Sequence, residues 1–207
     1  MRTSQSLAPL VCVVAGVVLV AGCSGTPAAA PASTPPPSPT SEALPHSGAP
    51  KVEHPLPVSV LSGDPCQGAL TPGQLHKIFG TVPQGVPDSK AGLGPNCDWQ
   101  ADAGVSVGYA TQDHQGLSAV YQNAKPQTSV WHELPLIQGF PAVGYIDKAG
   151  AASGDICTVS VGVADALSFD VVLTLSQAKK NAHADPCESA ARVAEMVVTN
   201  LRQKAGA

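Results

Sequence analysis

The sequence predicts an α+β domain in which an antiparallel sheet is covered by helices. Apolar residues alternate with small or polar residues over several short runs, and this period of two is typical of half-buried strands. Helix-start signals flank the runs without alternating regularly with them, which favours separate helices and strands over a parallel sheet. Four cysteines spread along the same region predict covalent links between helices and strands.

Residues 1–22 are predicted to form a signal peptide. An apolar run from Leu10 to Ala21 follows a short N-terminus whose one charged side chain is Arg2. The run closes in Val20-Ala21-Gly22-Cys23, which has the lipobox pattern of bacterial lipoproteins, in which the cysteine is alkylated with diacylglycerol and becomes the new N-terminus. Cys23 is therefore the predicted lipidation site. The alternative is an uncleaved transmembrane helix, but that would need roughly 20 apolar residues, and this run is shorter.

Residues 23–62 are predicted to form the lipidated cysteine and a disordered linker. Half of the 20 prolines lie between Pro27 and Pro57, interleaved with alanine, serine and threonine. Such a segment buries too little apolar surface to offset its ordering entropy, so an extended tether is expected. The tether is either a spacer that crosses the cell wall and carries O-glycosylated threonines, or a simple linker whose sequence was not selected for a function.

Residues 63–207 are predicted to form the folded domain, and capped helices start near both of its ends. Asp64-Pro65-Cys66-Gln67 and Asp185-Pro186-Cys187-Glu188 each place an N-cap aspartate before a proline at the first helical position. Thr71-Pro72-Gly73-Gln74 starts a further helix, which is expected to end at Gly80. The C-terminal helix shows apolar residues at helical spacing, namely Ala190, Val193, Ala194, Val197 and Leu201.

The strands are predicted between these helices. The alternating runs are Val105, Val107 and Tyr109; Val159, Val161 and Val163; and Leu167, Phe169, Val171, Leu173 and Leu175. The last two runs are separated by three residues, which predicts an antiparallel hairpin. Two further strands are expected over 130–134 and 141–146. A helix is expected over 115–124, with Leu117, Val120 and Tyr121 on one face.

Two disulfides are predicted in the folded domain. Once Cys12 is removed with the signal peptide and Cys23 is lipidated, the remaining cysteines are Cys66, Cys97, Cys157 and Cys187. An even number in an exported domain indicates two bridges, and three pairings are possible. Pairing Cys66 with Cys97 and Cys157 with Cys187 is favoured, because each bridge would link a helix start to a strand nearby in sequence. A metal site is disfavoured, since there is no Cys-x-x-Cys pair and no histidine at ligand spacing.

Six short motifs occur in the order seen in a large family of actinobacterial lipoproteins. They are Asp64-Pro65-Cys66, Thr71-Pro72, Cys97-Asp98-Trp99, Gly139-Phe140-Pro141-Ala142-Val143, Cys157 on an alternating strand, and Asp185-Pro186-Cys187. The chain resembles this family, which is catalogued as a domain of unknown function, and is similar to mycobacterial lipoproteins of the LprB and LprC type. The resemblance implies a cell-envelope lipoprotein whose α+β fold is similar to the extracellular sensor domain of a mycobacterial receptor kinase. The resemblance supplies no active site, because none is established for the family.

Composition limits the classes of partner. The net charge is −4, the isoelectric point is about 5.8, and the chain has no cluster of lysine or arginine. Nucleic acid is therefore not an expected partner. The expected partners are the membrane, through a lipid anchor at Cys23, and an envelope protein or a small ligand. No cofactor and no metal are expected.

No catalytic constellation is predicted. Trp99 lies on the same strand face as Cys97, where packing of the indole on a disulfide is expected. His132-Glu133 and Asp113-His114 are adjacent pairs, and adjacent strand residues point to opposite faces, so neither pair is expected to act as a dyad. His183 lies near Asp185, but Asp185 already serves as a helix cap.

Three classes of function remain open for a lipoprotein on the outer face of the cell membrane. The favoured class is a binding or sensing module, because a rigid domain on a long tether is suited to capture. The second is an accessory subunit of an envelope complex. The third is an envelope hydrolase, for which His114, His132 and His183 would be the candidate bases.

Overall fold

The computed structural model describes residues 43–206. The predicted signal peptide, Cys12, the predicted lipidation site Cys23 and the first part of the predicted linker lie outside these described residues. Within them the chain folds into a seven-stranded sheet, five α-helices and two disulfides, so the predicted α+β class is confirmed.

The sheet is antiparallel throughout, with strand order β1-β2-β3-β7-β6-β5-β4. Its strands are β1 (Val86–Lys90), β2 (Gly94–Gln100), β3 (Gly104–Ala110), β4 (Thr128–Ile137), β5 (Phe140–Asp147), β6 (Ile156–Ala164) and β7 (Leu167–Thr174). The predicted hairpin is the one that joins β6 to β7. The order places β3 beside β7, so a strand from the first half of the domain pairs with its last strand.

The helices are α1 (Pro65–Gly68), α2 (Pro72–Phe79), α3 (Leu117–Ala119), α4 (Gln177–Asn181) and α5 (Pro186–Ala205). Short 3₁₀ turns lie at Val58–Leu61 and Gly150–Ala152. The predicted caps are confirmed. The Asp64 side chain accepts the Cys66 N–H, and Asp185 accepts the N–H groups of Cys187 and Glu188. The capping box at the start of α2 is complete, and α2 ends at Gly80 with positive φ.

The two faces of the sheet differ in chemistry because apolar and polar residues alternate along its strands. We call the side that carries Cys97, Val107, Val159 and Phe169 the first face. These side chains are fully buried; the apolar stripe of α5 covers β6 and β7, and α1 lies against β2 and β3. Full burial of a valine or phenylalanine is worth about 1.5–3 kcal/mol, so this face supplies most of the stability of the fold.

The opposite side, the second face, carries mostly small and polar residues. They include Asn96 and Asp98 from β2, Ser106 and Gly108 from β3, Thr158 and Ser160 from β6, and Ser168, Asp170 and Val172 from β7. A smaller apolar cluster of Leu117, Tyr121 and Val143 covers the β5 end of this face.

The two disulfides have the favoured pairing. Cys66 in α1 joins Cys97 in β2, and Cys157 in β6 joins Cys187 in α5, across 31 and 30 residues of sequence. Both bridges connect a helix start to the first face. By loop-closure entropy each stabilises the fold by roughly 3–4 kcal/mol.

The helix predicted over 115–124 is present but irregular. After α3 the chain continues as a π-helical segment (Val120–Ala124) and then a 3₁₀ turn (Lys125–Gln127). The helical segment thus runs past Pro126, whereas the prediction ended it at Ala124. Leu117 and Tyr121 are buried as expected, and Val120 is half-buried.

The folded unit begins earlier than the predicted boundary at residue 63. Val52, Leu56, Val60 and Leu61 fall within the predicted linker, yet all four are buried in the main core. The backbone of this segment is also tied down, since Leu56 N–H donates to the Val163 carbonyl at 2.8 Å. The residues after about position 50 therefore belong to the domain and not to a tether.

The segment from Val52 to Ser62 is held by hydrogen bonds at both of its ends. The Asp165 carboxylate accepts the Val52 N–H at 2.9 Å, and the Lys204 ammonium of α5 donates to the carbonyls of Val60 and Ser62 at 3.0 and 2.6 Å. These contacts to the β6–β7 turn and to α5 supply backbone hydrogen bonds that a proline-rich chain cannot obtain from regular structure.

Across residues 43–206, no helix combines the length and the apolar character needed to cross a membrane.

Candidate ligand-binding cavity

A row of four residues crosses the second face on adjacent strands. Asn96 in β2 is opposite Gly108 in β3, Gly108 is opposite Asp170 in β7, and Asp170 is opposite Ser160 in β6. Because side chains in register on antiparallel strands point to the same face, the three side chains and the glycine form one line. We call these four residues the polar row.

Three residues of the polar row, Asn96, Gly108 and Asp170, contribute to the lining of a cavity of about 350 Å³. Its other lining side chains come from the β1–β2 hairpin, from β5 and β6, and from β7; they include Lys90, Leu93, Tyr145, Ile146, Asp147, Ile156, Thr158 and Val172. The volume lies at the lower end of the range of small-molecule sites, which is about 300–1,000 Å³. The cavity therefore has room for a small organic ligand.

Gly108 keeps the middle of the row open. An added Cβ at this position would lie 3.1 Å from Oδ1 of Asn96, which is closer than an ordinary contact. Any larger side chain at position 108 would project from β3 into the space between Asn96 and Asp170. The space beside the amide and the carboxylate thus depends on the missing side chain.

Asp170 is the half-buried carboxylate of the row. Ser160 Oγ donates a short hydrogen bond to its Oδ1. Burial raises the pKa of Asp170, while the Ser160 hydrogen bond and the charge of Lys90 act in the opposite direction and Asp113 adds to the rise. The group is a strong acceptor when ionised, and its cost of desolvation falls if a ligand donates to it.

Asn96 is the most buried polar side chain of β2, at 3% exposure. Its Oδ1 accepts a hydrogen bond from Ser106 Oγ at 2.8 Å, but its Nδ2 has no hydrogen-bond partner among residues 43–206. A buried amide that lacks a partner costs about 1–3 kcal/mol. Trp131 Nε1 and Ser168 Oγ also lack a partner among the described residues, and such buried groups are commonly completed by a water or an ion.

Aromatic residues support the β5 side of the cavity. Tyr145 stacks on Trp131, with ring centroids 5.7 Å apart, and Trp131 meets Tyr121 edge to face at 5.0 Å. The Lys125 ammonium lies over both Tyr121 and Trp131, 4.8 and 4.9 Å from their ring centroids. Burial raises the pKa of Tyr145, so its hydroxyl remains neutral at physiological pH. The stack holds Tyr145 in place as a rigid wall.

A family model matches residues 18–200 of the chain, which is most of its length; the family is described as a protein of unknown function (DUF3558). The chain belongs to this family. No curated protein and no solved structure matches it. Membership of DUF3558 confirms the expected family of unknown function, and it assigns no activity.

The residues singled out in the sequence are not brought together in this DUF3558 member. His114, His132 and His183 are all exposed, and they lie after β3, on β4 and before α5 respectively. His132 and Glu133 pair with different residues of β5 and point to opposite faces, as predicted. Among residues 43–206, no group of three or more histidines, cysteines or carboxylates is placed to hold a metal ion.

Trp99 belongs to the core, as expected. It is 1% exposed, and an added Cβ at Gly85 would lie 2.8 Å from its Nε1 and 2.7 Å from Sγ of Cys97. The indole and the Cys66–Cys97 bridge therefore meet beneath the same glycine, and the chain leading into β1 passes directly over them.

The residues of the polar row were not identified from the sequence. Ser160 and Asp170 occupy the polar positions of their alternating runs, which was a usable signal for a face turned away from the core. Asn96 gave a weaker form of the same signal, because its alternating run, from Asn96 to Gln100, is short and follows Gly94 and Pro95.

Proposed function

We propose that the protein is a lipoprotein anchored through Cys23 to the outer face of the plasma membrane, and that its folded unit is a binding module. The cavity over the polar row is the proposed ligand site. The observation that carries this proposal is an open cavity of ligand size that is lined by the half-buried Asp170 carboxylate, by Lys90 and by Thr158.

The anchoring half of the proposal rests on the sequence. Val20-Ala21-Gly22-Cys23 has the lipobox pattern after an apolar run, and these residues fall inside the stretch that the family model matches. A single lipidated cysteine would keep the folded unit at the membrane surface.

The binding half rests on the contrast between the two faces of the sheet. The first face is packed beneath α5 and stapled by two disulfides, so it acts as a rigid support. The second face presents a carboxylate, an amide and hydroxyl groups on β-strands. Polar groups held on strands are positioned more accurately than groups on loops, which suits recognition of a ligand.

Metabolic labelling with a fatty-acid analogue tests the anchor. The wild-type chain should incorporate the label and remain in the membrane fraction, whereas Cys23→Ser should remain an unlabelled precursor. Cys12→Ser serves as the matched control and should label normally. Label retained on Cys23→Ser would show that the anchor is elsewhere.

Native mass spectrometry of the full lipidated chain, released gently from its own envelope, tests binding. We expect a non-covalent small molecule on the wild-type chain and its loss from Gly108→Leu, in which a side chain fills the cavity. A bound protein at fixed stoichiometry, unaffected by Gly108→Leu, would instead favour the accessory-subunit alternative. Turnover of an envelope substrate that depends on Asp170 would favour a hydrolase.

A further inference from the structure

The cavity over the polar row presents hydrogen-bond donors and acceptors side by side. We propose that its ligand is an uncharged, polyhydroxylated compound of the size of one or two sugar rings. This inference rests on the proposed function, because it names the ligand class of the same cavity.

The first step of the argument is the pairing of donor and acceptor. Asp170 requires a donor from the ligand, whereas the ammonium of Lys90 and the hydroxyl groups of Thr158 and Tyr145, which belong to the same lining, can donate to a ligand. A hydroxyl group is both a donor and an acceptor. Neighbouring hydroxyls on one ring can therefore donate to the Asp170 carboxylate and to Asn96 Oδ1, which lies beside Gly108, and accept from Lys90 or Thr158.

The second step is the balance of charge. Lys90 and the carboxylates of Asp147 and Asp170 line the same cavity. An anionic ligand would lie beside two carboxylates. A cationic ligand would satisfy Asp170 but would lie beside the Lys90 ammonium. A neutral ligand that carries hydroxyls avoids both costs.

The third step is the apolar lining. Ile146, Ile156 and Val172 contribute side chains to the walls, and Leu93, which is 41% exposed, lies at the β1–β2 hairpin. A sugar ring has C–H groups on its faces and hydroxyls on its edge. It can pack its faces on these walls while its edge meets the polar row.

Saturation-transfer difference NMR on the full lipidated chain tests the ligand class. The chain is held in a detergent without a sugar head group, because such a group could occupy the cavity. The probes are glucose, galactose, mannose, arabinose and maltose, and choline and acetate represent cationic and anionic ligands. We expect transfer to the ring protons of at least one sugar and none to choline or acetate.

Two variants and a matched control locate the binding. Asp170→Ala removes the acceptor and should weaken sugar binding tenfold or more. Asp98→Ala is the same change on the same face, at a residue that does not line the cavity, and should leave the affinity unchanged. Gly108→Leu should abolish binding of any cavity ligand. Since Gly108→Leu could disturb folding, Val172→Phe, which narrows the cavity from β7, provides a second block.

The outcomes separate the ligand class from the proposed function. Sugar binding that survives Asp170→Ala and both blocking variants would overturn the inference. Choline or acetate binding that is lost in Gly108→Leu and Val172→Phe would overturn the ligand class but support the cavity as a binding site. A silent probe panel, together with no ligand in native mass spectrometry, would overturn both.

The same experiment distinguishes a free sugar from the end of a glycan chain. An oligosaccharide of the binding sugar is titrated beside the monosaccharide. Equal affinities indicate a cavity for free sugar, whereas tenfold tighter binding of the oligosaccharide indicates contacts beyond the cavity mouth. Both results support the proposed ligand class.

Discussion

Asn96 and Asp170 lie in one row across the sheet although β3 separates their strands, and the β3 residue between them is Gly108. Two strand spacings amount to roughly 10 Å, so the amide and the carboxylate are held at the two sides of a gap. Neither group can satisfy the other. The first prediction concerns the carboxylate of this pair.

Asp170→Asn should change the dependence of stability on pH. Burial raises the pKa of Asp170 above its ordinary value of 3.8, so the folded state binds the proton more tightly than the unfolded chain does. The wild-type free energy of unfolding therefore falls as the pH rises from about 4 through the raised pKa. Urea unfolding at several pH values should show the Asp170→Asn variant gaining stability over the wild type as the pH rises above about 4, with the smallest difference below about pH 4.

Asp155→Asn provides the contrast. The hydrogen bond from Lys180 lowers the pKa of Asp155, so its contribution to stability is present above pH 3.8 and is lost as the pH falls through the lowered pKa. Its difference from the wild type should run opposite to that of Asp170→Asn. Parallel curves for the two variants would contradict the assignment of Asp170 as the destabilised carboxylate.

Gly85→Ala should destabilise the fold by about 1–3 kcal/mol, because the new methyl group would overlap a disulfide and an indole that cannot move. The added Cβ would lie 2.7 Å from Cys97 Sγ, 2.8 Å from Trp99 Nε1 and 3.1 Å from Cys66 Sγ. Chemical unfolding measures the change. Gly73→Ala is the matched control in α2, where an added Cβ meets nothing within 4 Å, and it should stabilise the fold by about 0.5–1 kcal/mol.

Leu61→Ala should lower the free energy of unfolding by about 2–5 kcal/mol, because this side chain is 1% exposed within the core. Leu136→Ala makes the same change at a side chain that is 66% exposed and should shift stability by less than about 0.5 kcal/mol. Equal, small effects of the two substitutions in urea unfolding would show that the segment before residue 63 is a linker after all.

Replacing Cys157 and Cys187 together by alanine should cost about 2–5 kcal/mol of stability, since the bridge closes a loop of 30 residues. Urea unfolding under oxidising conditions measures the loss. The control is the wild type with reductant, which opens both bridges and should be less stable than the double variant. An unchanged unfolding midpoint in the double variant would contradict a stabilising role for this bridge.

The sequence was sufficient to predict the elements that depend on local chemistry. The caps at Asp64, Thr71 and Asp185 follow from side chains that accept backbone N–H groups within three residues. The β6–β7 hairpin follows from alternation on both sides of a short turn. Their physical causes lie within a few residues of one another, so they can be recognised before the fold is known.

The cavity could not be predicted because it depends on pairing between distant strands. Gly108 and Asp170 become neighbours through the register of β3 on β7, and no local pattern sets that register. The buried segment from Val52 to Leu61 was missed for a different reason. Its prolines indicated a chain without regular structure, but Val58–Leu61 forms a 3₁₀ turn, and the irregular backbone before it still buries individual side chains against neighbouring strands and helices.

The way in which the buried segment from Val52 to Leu61 is attached to the domain has a mechanical consequence. A pulling force that enters from the N-terminal side reaches the contacts of Val52, Leu56 and Val60 one after another, so we expect them to detach in sequence under low load. The peeling would stop at Cys66, because its covalent bond to Cys97 passes the load directly into β2. About fourteen residues, from Val52 to Cys66, can thus detach under load before the disulfide stops the unfolding. The residues of the polar row follow Cys66 in the sequence.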